Sequence, residues 1–499
     1  MWSYESLLRV REASTLLGRV SGMNDGELSL TCDPCKATRA RRLVFTHTIV
    51  QGTRFENSWQ RILENGSATE TSSRKDPKYV THGLHAYKGK FYPQLAKGLM
   101  NILGTRNGAI VLDPFCGSGT TLLEGYLNGL RTYGCDIHPL AVKIARAKTG
   151  ILDVDPRLVL ESFSILMGKI NERGKLFPPK MDELPFHAHE EICHWFPQPV
   201  IYKLNWILER IRAASTDAIE DFFEVVLSDI LREVSQQDPA DLRIRRRKEP
   251  LVDANVLGLF TERLTLHMNR LERFWSVRGY SPYRFWESRV QEGDSTQPFV
   301  YRKMGLDAGT VDLVLTSPPY ATALPYIDTD RLSLLVLFGM NSTARRPVEE
   351  RITGSREISK SELKKFETEM LDLTSANLPS EIGTFISELY RRNLQAGVGF
   401  RRRNLPALLY RFFCDMKASI GICHQLLASG GKAGIVIGDS HTTVGEERLK
   451  IPTTHFIRLL AIEAGFEEID RIAIAVSTEN LKHIKNAIRE NTALILSKP

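Results

Sequence analysis

Val111-Leu112-Asp113-Pro114-Phe115-Cys116-Gly117-Ser118-Gly119-Thr120-Thr121 is the stretch that decides the fold. A short apolar run, 109–112, ends at Asp113; glycines follow, and a helical pattern continues to about residue 130. A strand that passes through glycines into a helix lets a ligand approach backbone N–H groups and the helix N-terminus. A P-loop is excluded, because no lysine follows the last glycine. The dinucleotide fingerprint is incomplete, because Leu122 stands where its third glycine belongs. About twenty residues on, a second strand, 132–135, ends at Asp136, where a carboxylate can accept both hydroxyls of a ribose. The two elements together predict a nucleoside-containing cofactor.

Working outward, a helix through residue 147 completes a repeat whose spacing predicts parallel strands joined by crossover helices. The alternation then breaks. Residues 150–285 show helical periodicity, at 200–211, 217–231 and 254–274. It resumes with a strand at 311–315 that runs straight into Thr316-Ser317-Pro318-Pro319-Tyr320. A polar helical segment over 343–400 interrupts again. A long helix (406–427), a stop at Gly430-Gly431, a strand (433–437), a helix (455–464) and strands at 471–476 and 493–497 complete the set. Before residue 80, a strand is predicted at 43–50 and a polar linker at 67–77.

The resulting expectation is an α/β doubly wound sheet with two insertions. Residues 1–80 are an N-terminal extension and linker, and 81–149 the first part of the core. Residues 150–285 form a large, mainly helical insertion, 286–340 core, 341–404 a smaller second insertion, and 405–499 the end of the core.

Composition sets the class. The chain has 499 residues, 42% apolar and 25% charged, which is ample for folded cores and excludes disorder as the main state. The longest mostly apolar run, 332–340, is about half the roughly 20 residues of a membrane-spanning helix. Glu5, Arg9, Arg11 and Glu12 interrupt any signal-peptide core. A cytoplasmic protein is expected.

The net charge of +7 is mild, but basic residues cluster: Arg39, Arg41 and Arg42; Arg243, Arg245, Arg246, Arg247 and Lys248; Arg391, Arg392, Arg401, Arg402 and Arg403. Such clusters suit phosphate contacts. The seven cysteines are scattered and read as reduced thiols. Cys32 and Cys35 form a CxxC without a second pair, and His82, His85, His138, His424 and His441 lack metal spacing, so no metal is expected.

Thr316-Ser317-Pro318-Pro319-Tyr320 carries the remaining chemistry. Two prolines at a strand's end hold an extended backbone that cannot enter a helix ladder. Ser317 offers a hydroxyl, Pro318 a fixed carbonyl acceptor and Tyr320 an aromatic face.

These residues resemble a known family. Asp113-Pro114-Phe115-Cys116-Gly117-Ser118-Gly119-Thr120-Thr121 and Ser317-Pro318-Pro319-Tyr320 are similar to motifs I and IV of the S-adenosylmethionine-dependent DNA amino-methyltransferases, closest to the cytosine-N4 branch. Adenine-N6 members more often carry Asp or Asn before the prolines. His85 to Leu95, with Phe91 and Pro93, resembles motif X; Gly134 to Pro139 resembles motif II; Glu292-Gly293-Asp294-Ser295 resembles motif III. The order is unpermuted, and the motifs cover roughly half the chain. The long insertion between motifs II and III departs from the family pattern.

The resemblance implies a Rossmann-like methyltransferase sheet, S-adenosylmethionine as cofactor, double-stranded DNA as partner, a cognate restriction endonuclease as a second partner, and a nucleoid-associated location. It implies that Phe115, Gly117, Ser118, Gly119 and Thr120 shape the cofactor loop with Asp113. Asp136 holds the ribose, Asp294 caps the adenine amine, and Phe91 and Pro93 lie at the methionine end. Ser317, Pro318, Pro319 and Tyr320 form the acceptor site, with Tyr320 stacking on a flipped base. Tyr326 is a second aromatic candidate, and Asp328 with Arg331 a local ion pair or strand–helix bracing, without a catalytic role. Cytosine-C5 chemistry is excluded, because the only Pro-Cys pair, Pro34-Cys35, lies upstream of the glycine motif. Adenine-N6 methylation, methylation of an RNA amine and a non-catalytic nucleic-acid-binding subunit remain as alternatives. Residues 150–285 are the first choice for DNA contact, 341–404 the second.

Overall fold

Seven strands form the central sheet, which is buried on both faces at its centre: β1 (Ile110–Asp113), β2 (Arg131–Asp136), β3 (Ser288–Glu292), β4 (Val311–Thr316), β5 (Leu427–Ile437), β6 (Glu467–Ala475) and β7 (Glu490–Ser497). The structure, a computed structural model, describes residues 3–24, 27–30, 34–51, 53–70, 76–171, 190–238, 245–321, 326–372, 377–475 and 490–499. The spatial order is β6-β7-β5-β4-β1-β2-β3. Strands β5, β4, β1, β2 and β3 are mutually parallel, whereas β7 runs antiparallel between β5 and β6.

Val111, Leu313, Val436 and Ile495 point into one layer; Leu112, Val314, Ile435 and Leu494 point into the other. Strands buried on both faces read as unbroken apolar runs, which is why β1, β4 and β5 were legible in the sequence. The first layer is closed by α1 (Ser3–Leu17) and α2 (Pro93–Ile102), through Leu8, Leu95, Leu99 and Met100. After β1 and β2 come α3 (Thr120–Leu127) and α4 (Pro139–Gly150). The segment after α4 contributes α5 (Gln198–Ala214), α6 (Asp217–Ile230) and α7 (Val256–Val277). Phe222, Phe223 and Val226 of α6 join Leu140, Ile144 and Ala147 of α4 in one apolar cluster. This helical segment therefore thickens the core it interrupts. After β4 follows α8 (Tyr326–Phe338). The second layer is closed by α9 (Leu405–Leu426) and α10 (Thr453–Glu463), through Phe412, Phe413 and Phe456.

Several expectations change. The chain passes directly from α9 into β5, so Gly430-Gly431 is no helix stop: it lies within the strand, with Gly430 at φ +73° where the pairing to β4 slips between Leu427 and Lys432. The first eighty residues contribute α1, an integral part of the sheet's cover. The early strand is only Thr48–Gln51, paired with Arg54–Asn57, because Leu43, Val44 and Phe45 are buried against helices. β3 was not foreseen because it is a polar edge strand, Ser-Arg-Val-Gln-Glu. Among the described residues no helix is long and apolar enough to cross a membrane.

Candidate active site

β1 has β2 on one side and β4 on the other, so the order of the parallel strands reverses there. In open α/β sheets, ligands bind in the crevice outside the carboxyl ends of the strands at such a switch point. The Gly-rich loop follows β1 and the Ser-Pro-Pro-Tyr segment follows β4, so the topology brings them together from two hundred residues apart. A cavity of about 440 Å³ lies between them, lined among others by Phe91, Phe115, Gly117, Asp136, Ser317, Pro318, Pro319 and Tyr320.

The Gly-rich side is heavily bonded. Gly117 and Gly119 take φ of +48° and +77°, the left-handed region that favours glycine. A Cβ on Gly119 would lie 2.8 Å from the Ala145 Cβ and 2.9 Å from its Cα, so the loop is pressed onto α4. Asp136 accepts from the Gly117 N–H through Oδ2 and from the His138 N–H through Oδ1, each at 2.9 Å. Each of its oxygens keeps a further lone pair for a ligand hydroxyl. Burial pushes the Asp136 carboxyl up, and these amides oppose the shift.

A smaller neighbouring cavity of about 30 Å³ is lined by Asp113, Ser118, Thr120 and Ser317, and shares Phe91, Phe115 and Gly117 with the larger one. Asp113 accepts from the Phe115 N–H at 3.1 Å, and burial pushes its carboxyl up to about 6. Beneath the loop, the buried Lys148 donates to the Ser118 carbonyl at 2.7 Å and to its Oγ at 3.3 Å, and burial holds its ammonium well below the usual lysine range.

On the Ser317–Tyr320 side, fewer side-chain hydrogen bonds occur among the described residues. Ser317 opens on both cavities. Tyr320 donates its hydroxyl to Asn491 Oδ1 at 3.2 Å, and burial raises its phenol. His138 lies 3.3 Å from Asp330 Oδ2, with the Tyr87 ring edge-on to it. The 85–90 loop is held from the helical segment: His85 Nε2 meets Ser228 Oγ at 3.0 Å, and the Ala86 N–H donates to Asp229 Oδ1 at 2.7 Å.

Three expected residues, Pro93, Gly119 and Asp294, line neither cavity, Gly119 being turned against α4. Pro93 is buried at the first turn of α2, where its missing N–H costs nothing, and it aims the chain so that Phe91 reaches the cavity. Asp294 Oδ1 accepts from the Thr296 N–H and hydroxyl, closing its own turn, although the Gly293 N–H bond to the Asp136 carbonyl keeps that turn beside the end of β2. Asp328 and Arg331 are paired at 3.8 Å, the first of their two readings. The Tyr326 side chain and Cys32 lie outside the described residues. No metal-binding group of His, Cys, Asp or Glu occurs among the described residues. Sequence reasoning missed Tyr4, Lys148, Ile352, Ile474 and Asn491, which carry no local motif.

The arginine clusters separate. Arg41 donates to the Tyr280 carbonyl, and Arg42 to the Tyr283 hydroxyl and to the Thr105 carbonyl, below the start of β1 and away from the cavity. Arg247 donates to the Ser235 and Glu233 carbonyls, while Arg245, Arg246 and Lys248 are exposed; Arg243 lies outside the described residues. Arg391 and Arg392 are paired with Glu388 and Glu447. Arg401, Arg402 and Arg403 are exposed and have no carboxylate partner among the described residues. They immediately precede α9, which runs back along the sheet into β5, so they stand at the carboxyl edge that holds the cavity. Arg411 of α9 also donates to the carbonyls of Glu350, Ser355 and Glu357, around the cavity-lining Ile352.

Residues 33–147, which contain the Gly-rich loop and Asp136, match the family model described as DNA methylase. Over this segment the chain is similar to the N4/N6 amino-methyltransferases. The chain is also similar to the type II methyltransferase M.MvaI of Kocuria varians, 29% identical over 273 residues that cover 51% of this chain and 57% of that protein. It is also similar to the type II methyltransferase M.BsoBI of Geobacillus stearothermophilus, at 23% over 318 residues, 58% of this chain and 59% of that one. A shorter match, 45% over 51 residues, joins it to a tRNA (guanine(10)-N2)-dimethyltransferase of Methanothermobacter thermautotrophicus, covering 10% of this chain and 15% of that protein. Each match spans less than two thirds of the relative's own length.

Proposed function

We propose that this chain transfers a methyl group from S-adenosylmethionine to the exocyclic N4 amine of cytosine in double-stranded DNA, after the base has been flipped from the helix. One observation carries the proposal: the Gly-rich loop with Asp136 and the Ser317–Tyr320 segment open into one cavity at the switch point of the sheet. The residues fit the cofactor. Asp136 is pinned by two amides with lone pairs to spare for ribose hydroxyls, Phe91 and Phe115 supply apolar walls, and Asp113 places a carboxyl beside the loop. When bound, S-adenosylmethionine supplies an electrophilic methyl on a sulfonium.

The chain's own residues prepare the acceptor. A nucleobase amine is a poor nucleophile because its lone pair is delocalised into the ring. Ser317 Oγ and the Pro318 carbonyl are acceptors that draw the amine's two N–H bonds toward tetrahedral geometry and localise that lone pair. Ser317 orients and does not act as a strong base; the proton leaves after transfer. The contribution of the protein is mainly positioning, supported by fixed dipoles. Tyr320 supplies the face on which a flipped base stacks. A neutral hydroxyl at Ser317, in place of Asp or Asn, supports cytosine over adenine.

The exposed Arg401, Arg402 and Arg403, with Arg245, Arg246 and Lys248 as a second arm, are the groups proposed to meet DNA phosphates. The 341–404 segment thus takes precedence over 150–285. A cognate restriction endonuclease and a nucleoid location belong to the same proposal. The short match to a tRNA amine methyltransferase keeps RNA as a second reading. Incubating the purified chain with labelled S-adenosylmethionine and either DNA or RNA tests the proposal: label entering duplex DNA is expected, and label entering RNA alone overturns it.

A further inference from the structure

Asn491 lies at the start of β7, far from every motif in the sequence. Because β7 is antiparallel to its neighbours, its first residues reach the carboxyl edge of the sheet, where Asn491 pairs with Ile474 of β6 and both line the cavity. The Tyr320 hydroxyl donates to Asn491 Oδ1 at 3.2 Å. With its oxygen turned to the phenol, the amide leaves an NH2 group that has no hydrogen-bond acceptor among the described residues. Ser317 Oγ and the Pro318 carbonyl are acceptors, so they match a donor, the exocyclic amine. A cytosine also presents acceptors at its ring nitrogen and its 2-oxo group, and these require a donor.

We infer that Asn491 is a specificity-determining residue of the acceptor site, holding Tyr320 through its oxygen and donating from its amide nitrogen to the 2-oxo group of a flipped pyrimidine. The inference rests on the cavity being a nucleobase-amine acceptor site. Adenine presents a C–H at the equivalent ring position, so this donor would be left without a partner. A site built to hydrogen-bond a substrate group discriminates strongly against an analogue that lacks it.

The test uses the full chain and duplex DNA that it methylates. Asn491→Asp keeps an oxygen for Tyr320 and removes the NH2 donor, whereas Tyr320→Phe removes the phenol contact and keeps the ring. Asn491→Asp is expected to lower kcat/KM for DNA at least about tenfold, with an unchanged Kd for S-adenosylmethionine and a smaller loss for Tyr320→Phe. Unchanged kcat/KM, or equal losses in the two variants, would overturn the inference and leave Asn491 as a support for Tyr320.

A second measurement needs no variant. The wild-type chain is given a duplex whose target cytosine is replaced by an analogue lacking the 2-oxo group. A rate at least about tenfold lower is expected, and an equal rate overturns the inference. A wild-type chain that methylates DNA only at adenine removes the pyrimidine partner, and one that methylates no base in DNA overturns the acceptor-site reading itself.

Discussion

The two loops at the switch point differ in how their polar atoms are used. In the Gly-rich loop nearly every group is committed within the protein: Asp136 to two backbone amides, Asp113 to the Phe115 amide, Ser118 to buried Lys148, and Gly119 to close contact with Ala145. After β4, Ser317 lines both cavities and Tyr320 makes, among the described residues, one side-chain hydrogen bond, to Asn491. A bowl fixed by its own hydrogen bonds suits a ligand that is the same in every turnover. A wall of unspent acceptors suits a base delivered from outside. On the proposed function, preorganisation lies with the Gly-rich, cofactor half, and choice of substrate with the Ser317–Tyr320, acceptor half.

The largest effect should separate the halves. Ser317→Ala is expected to lower turnover about a hundredfold or more, since it removes one positioning hydrogen bond, while calorimetry finds the Kd for S-adenosylmethionine unchanged. A matching fall in cofactor affinity would mean that the halves are not distinct. Next, Asp136→Ala should weaken cofactor binding roughly 10- to 100-fold, the scale of charge-assisted hydrogen bonds, and should also loosen the Gly117 and His138 amides. Thermal shift with and without cofactor checks this: the ligand-induced shift should shrink more than the ligand-free Tm.

Asp113 makes a pH prediction. Burial raises its folded carboxyl to about 6, above the unfolded value of about 3.9. The folded chain therefore holds this proton more tightly, and ligand-free stability contributed by this group declines as pH rises from about 3.9 through 6. A sulfonium ligand favours the ionised form, so cofactor affinity should move the other way. It should weaken as pH falls below about 6, by up to about tenfold per unit. Asp113→Asn should flatten that limb, and a profile identical to wild type would remove Asp113 from the cofactor half.

The smallest effect concerns the surface. Replacing Arg401, Arg402 and Arg403 together by Ala should weaken DNA binding roughly tenfold at moderate salt. It should also reduce the slope of log K against log salt by about 0.9 for each phosphate no longer neutralised. Replacing Arg245, Arg246 and Lys248 should do less, and an unchanged slope in the first variant would reverse that ranking.

Much of the fold was legible because strands buried on both faces leave short, dense apolar runs: β1, β4 and the second half of β5 end where the charged or proline-bearing loops begin. Loop chemistry made Asp136 and Ser317 visible, since a glycine-rich turn and a Ser-Pro-Pro-Tyr run are local signals. What escaped had no local signal. β3 is a polar edge strand, and α1, far upstream, covers the sheet and brings Tyr4 to the cavity only through tertiary packing. Asn491 reaches the site because β7 is reversed between two neighbours, a property of the assembled sheet. Pro93 and Asp294 stand off the cavity lining: one starts a helix and the other closes its own turn.

The most direct test of the acceptor half is the identity of the base it modifies. Duplex DNA methylated by the purified chain with labelled S-adenosylmethionine would be digested to nucleosides and resolved by mass spectrometry. N4-methyldeoxycytidine is the predicted product, and N6-methyldeoxyadenosine as the sole labelled nucleoside would contradict it.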